Sequence, residues 1–187
     1  MLLKSRAVAF AGMATALAVI IVTIAGYIDV STLFLLALAS FIGGIVTRYF
    51  KVRYGVLFLL ASVTLSFILA PQKMYVLTYL AMTVYVIVEE SIDLNKSNEH
   101  KTFSPVKEWI IKALVYNVLL AVIILVNYYL LGFDMYKFSG AYRVVMSNLA
   151  FGLPLMILVL ELVMVVFDRA YVYFMRVIDH RLLNGMK

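Results

Sequence analysis

The chain has no cysteine and only two histidines. The first absence excludes disulfides, thiolate metal sites and cysteine nucleophiles, and leaves the redox compartment open. The second leaves His100 in a polar stretch and His180 in the C-terminal tail, so neither begins a metal-ligand cluster. Charge is scarce as well. Asp, Glu, Lys and Arg make up 14% of 187 residues, against roughly 25% in a soluble domain. No glycine-rich phosphate loop occurs, so the chain carries no motif for hydrolysing ATP by itself. Glu89-Glu90 is a paired carboxylate, but no histidine or arginine follows at a spacing that suggests an intramembrane hydrolase. An enzyme is therefore not the expected class.

What is present in excess is apolar sequence: 65% of residues are hydrophobic. This composition predicts an all-α integral membrane protein, with one domain over residues 1–187 as the natural count. The net charge of +6 is not a nucleic-acid signal here. The basic residues sit mostly in or beside connections between apolar spans, where anionic lipid headgroups select them.

Six spans are expected, over residues 7–28, 32–49, 54–70, 73–90, 107–131 and 143–166. Each approaches the roughly 20 apolar residues that cross a bilayer. Further spans follow the first, so it reads as a retained helix rather than a cleaved signal peptide. Residues 91–106 form one long polar connection, and residues 167–187 form a cytoplasmic surface helix or tail. With the N-terminus inside, thirteen of the sixteen lysines and arginines fall on the inner side. Lys73, Lys137 and Arg143 alone fall outside. The positive-inside rule then puts both termini in the cytoplasm.

The centre of this pattern is residues 66–79. Pro71 ends one apolar run, because proline has no N–H and clashes with the preceding turn. Lys73 opens the next run on the outer face. Gln72, Tyr75 and Tyr79 follow at helical spacing, and Thr83 and Glu90 extend the stripe. It reads either as an interfacial lysine with a tyrosine belt or as the rim of a pocket open to the outside. Ala7, Ala11, Ala14, Ala18 and Ala25 share one face of span one. Small residues let helix backbones approach closely in lipid, so this face packs either on the chain's own helices or on another membrane subunit. Glu161 lies 13 residues past Asn148, about 20 Å into span six. A carboxylate there needs a partner or a proton, and Arg48, Lys112 and Asn117 are the expected partners. A structural clasp is one role for Glu161; a proton relay or coupling contact is the other. Asn117, Asn127 and Asn148 read as interhelical hydrogen-bond partners.

The six-span length, the alanine-striped first helix and the short outer turns resemble a known family. The likeness rests on residues 34–44 (FLLALASFIGG), 53–56 (RYGV) and 65–73 (LSFILAPQK). Together they are similar to the S component, the substrate-binding membrane subunit, of bacterial energy-coupling factor transporters. The resemblance implies an S-component-like bundle in the bacterial plasma membrane. It implies uptake of a vitamin-like nutrient, energised by a transmembrane T subunit and an ATPase pair, with no cofactor held by this chain. Ala7, Ala11, Ala14 and Ala18 fit the family's Ala-x-x-x-Ala docking element. The substrate pocket would draw on Asp29, Gln72, Lys73, Tyr75, Tyr79, Asn127, Tyr128, Asp134, Lys137, Arg143 and Asn148. The histidine-rich N-terminus of the nickel and cobalt members is absent, so no metal substrate is implied. A rival from another class is a non-transporting membrane scaffold or assembly subunit of a larger envelope complex, which the alanine face and basic tail serve equally well.

Overall fold

The computed structural model describes residues 2–28, 31–99, 105–130 and 149–185. It contains six helices: α1 Leu2–Tyr27, α2 Thr32–Phe50, α3 Val52–Leu69, α4 Lys73–Glu99, α5 Pro105–Leu130 and α6 Leu149–Gly185. Among the described residues, α1 to α4 are long and apolar enough to cross a membrane. The chain divides into two compact units, Met1–Ile123 and Ile124–Lys187.

Within the first unit, α1 packs on α2 and α3, while α4 packs on α2 and α3. The core draws on Ala11, Ala14, Ala18, Val22 and Ala25 of α1, Leu36, Ala39 and Val46 of α2, Phe58 of α3, and Val76 and Tyr79 of α4. Small residues set the spacing. A Cβ on Gly55 of α3 would fall onto Thr47 Oγ1 of α2, so these two helices cross with almost no room between backbones. The core is also rich in hydroxyls, and several are satisfied by a carbonyl of their own helix. Thr15, Thr47 and Thr83 donate to Ala11 O, Gly43 O and Tyr79 O at 2.8 Å, the back-bonding that lets a hydroxyl sit inside a helix bundle.

The large apolar side chains point the other way. Met13 is 67% exposed, Phe34 66% and Ile68 70%, and Leu17, Ile20, Leu57 and Leu60 share their outward position. A bundle with small and polar residues inside and large aliphatics outside is stable in hydrocarbon, where outward leucine costs nothing and close helix approach gains dispersion. In water the same surface would be a vast apolar patch.

The elements differ from the sequence reading in α4. Helix α4 continues to Glu99, nine residues into the stretch expected to be a polar connection. Polarity alone does not end a helix, and residues 91–99 hold no proline or glycine. Helix α6 runs unbroken through residue 167, so residues 167–185 are a helical continuation of the sixth expected span. Residues 155–184 likewise contain no proline or glycine. What changes near 167 is the exposed face, from Leu158, Leu162 and Val166 to Arg169, Tyr173 and Arg176.

Candidate functional site

Both ends of the first unit hold candidate chemistry. One end is fixed by the α3–α4 turn. Gly26 near the end of α1 lies against it, since a Cβ there would meet Pro71 Cδ at 2.9 Å. Pro71 offers no N–H, and α3 closes with Ala70 N donating to Ser66 O at 2.8 Å. The remaining carbonyls find a partner in Lys73. Its ammonium donates to Phe67 O and to Ala70 O, and lies 5.2 Å from the Phe67 ring centroid. Lys73 thus caps α3, as a cation suits a helix C-terminus.

The stripe expected to run inward from this turn is present. Gln72 is exposed, Tyr75 is half-buried and Tyr79 is fully buried. Tyr79 donates from its hydroxyl to Ser62 Oγ of α3 at 2.9 Å. One turn closer to Pro71, Ser66 Oγ is buried and has no hydrogen-bond partner. Of the other candidate pocket residues, Asp29, Asp134, Lys137, Arg143 and Asn148 lie outside the described residues. Asn127 and Tyr128 lie on α5, but their side chains also fall outside. The structure therefore brings together Gln72, Lys73, Tyr75 and Tyr79 from the expected set. The candidate docking residues Ala7, Ala11, Ala14 and Ala18 are all buried, on the α1 face that meets the chain's own α2 and α3. The opposite face, with Val8, Met13, Leu17, Ile20 and Ile24, is exposed.

The other end of the unit holds buried charge. Consecutive residues on a helix point about 100° apart, so Glu89 and Glu90 of α4 address different neighbours. Arg48, in the last turn of α2, donates from Nε to Glu90 Oε2 at 2.8 Å, and its Nη2 lies 3.7 Å from Asp93. Lys112 of α5 donates to Glu89 Oε1 at 2.5 Å and lies 3.6 Å from Glu108, one turn earlier on its own helix. Tyr85 and Tyr116 meet edge-on nearby, with centroids 6.5 Å apart. The sequence reading offered Arg48 and Lys112 to Glu161. The partners recorded for these bases are Glu90 and Glu89. Glu161 itself is half-buried on α6, in the second unit. Arg48, Glu89 and Glu90 lie within one residue of the ends of their expected spans, which is the local signal that places them together.

No group of three or more His, Asp or Glu suited to a metal occurs among the described residues. What the geometry builds is a carboxylate pair on α4 that holds α2 on one side and α5 on the other. Fold and site together define an all-helical protein, four of whose described helices are long and apolar enough to cross a membrane, which is compatible with a multi-pass membrane protein. No protein-family model, curated protein or solved structure matches the chain.

Proposed function

We propose that the chain is the substrate-binding membrane subunit of a nutrient-uptake transporter, without enzymatic activity, seated in the bacterial plasma membrane with both termini inside. It takes a vitamin-like small molecule from the outer end, and a partner T subunit and ATPase pair supply the energy. The observation that carries this reading is the buried Ser66 hydroxyl, unsatisfied beneath the Pro71 turn and one turn from the Ser62–Tyr79 pair. A buried polar group without a partner costs free energy, and such groups collect where a ligand completes them. Gln72 and the third N–H of Lys73 lie at the same turn.

The test is purification in mild detergent with endogenous ligand, identified by mass spectrometry, followed by affinity measurements on Ser66→Ala, Lys73→Ala and Tyr79→Ala. Ser66→Ala separates ligand binding from folding, because deleting an unsatisfied hydroxyl leaves stability unchanged or raised. A stable Ser66→Ala protein with undiminished affinity removes this site.

A scaffold or assembly subunit is the second reading. Two observations favour it: the alanine face is covered by the chain's own helices, and Lys73 is engaged on α3 carbonyls. Co-purification separates the two readings. An ATPase pair with a T subunit supports transport, and a cell-wall or secretion assembly supports the scaffold.

A further inference from the structure

The bases from α2 to the start of α4, together with Lys112, fall into two groups. Arg48 and Lys112 face carboxylates, and Lys73 caps a helix. Lys51, between α2 and α3, and Arg53, at the start of α3, are different. Both are exposed, and no carboxylate among the described residues pairs with either. They sit two residues apart where two membrane-length helices meet, so the turn lies at the boundary between hydrocarbon and water.

Aromatic rings surround that turn. Phe50 lies 5.1 Å from Phe10 of α1 and 6.4 Å from Tyr54, centroid to centroid, and Tyr49 is 43% exposed. Tyrosines with one apolar and one polar end settle at headgroup depth. The backbone at Lys51 adds a constraint. Its φ of 77° and ψ of 159° belong to a region that is essentially glycine's. Lysine occupies it nonetheless, and among the described residues no carboxylate pairs with its ammonium.

We propose that Lys51 and Arg53 bind the phosphate of an anionic phospholipid headgroup, with Tyr49 and Tyr54 flanking it at the membrane surface. The occupant follows from position and charge. Two unneutralised cations at headgroup depth complement a phosphodiester that carries a further negative charge or lacks a compensating amine. The inference rests on the membrane reading and is independent of whether the chain transports anything.

The experiment uses the full chain in phosphatidylcholine nanodiscs with and without phosphatidylglycerol, and counts retained lipid by native mass spectrometry. Each cation near an anionic surface contributes about fivefold in affinity. Arg53→Gln is expected to lower phosphatidylglycerol retention about fivefold, and Lys51→Gly with Arg53→Gln about thirtyfold. Glycine at 51 suits the backbone there, so a folding defect does not confound the result. Three outcomes overturn the proposal. The double variant could retain phosphatidylglycerol as the parent does. Arg169→Gln with Arg176→Gln, two exposed cations of α6, could lower retention by the same factor, which would make the effect one of general charge. Inorganic phosphate could displace the lipid at millimolar concentration, which would make the turn a site for a soluble anion.

Discussion

Replacing Lys112 with methionine removes the ammonium that donates to Glu89 Oε1. The side chains of this pair are 10% and 4% exposed, so solvent cannot take over from the lost ammonium. Glu108 is no substitute, because it carries the same sign as Glu89. Removing one partner from a buried pair costs about 3–5 kcal/mol. The surroundings sharpen the expectation: methionine fills the volume of the lysine stem, so little of the loss comes from a cavity. Replacing both partners, with Glu89→Leu and Lys112→Met, removes the uncompensated charge. That double variant should fall within about 1 kcal/mol of the parent, or exceed it. The assay is unfolding in mixed micelles of a mild detergent and dodecyl sulfate, followed by circular dichroism, for the parent, both single variants and the double. The reasoning fails if Lys112→Met costs less than about 1 kcal/mol, or if the double variant loses the sum of the two singles.

Three further outcomes are expected from the same titration. Gly55→Ala forces a Cβ onto Thr47 Oγ1 and should cost about 1–3 kcal/mol; a neutral result would mean that α2 and α3 separate readily. Tyr79→Phe removes the donor to Ser62 Oγ and should cost about 1 kcal/mol, with no change in helix content. Lys73→Ala uncaps the end of α3 and should cost roughly 0.5–1.5 kcal/mol, while Lys73→Arg recovers part of it. If both substitutions leave the melting temperature where it was, Lys73 is not a cap.

The small-residue stripes were legible because their spacing is a property of one helix. Ala11, Ala14, Ala18 and Ala25 share a face in any straight helix, and that face is the buried one. What the stripe packs on was not legible, since a strip of alanines suits the chain's own helices and a foreign one alike. The Pro71 turn and the inward stripe of Tyr75 and Tyr79 were visible for the same local reason. The role of Lys73 was not, because a cation beside a turn can face solvent, a ligand or the carbonyls of the preceding helix. The end of α4 was read from polarity, and that helix passes through polar sequence without a break.

The sequence by itself determined that the chain is helical and apolar along membrane-length stretches and which faces of its helices are small, because composition and period are properties of the chain alone. Only the tertiary structure decided the pairing of charges. Arg48 could in principle meet Glu90, Glu161 or Asp168, and the choice depends on which helices lie side by side at which depth. Packing puts α4 against α2 and turns Glu90 towards Arg48, leaving Lys51 and Arg53 without a carboxylate partner among the described residues.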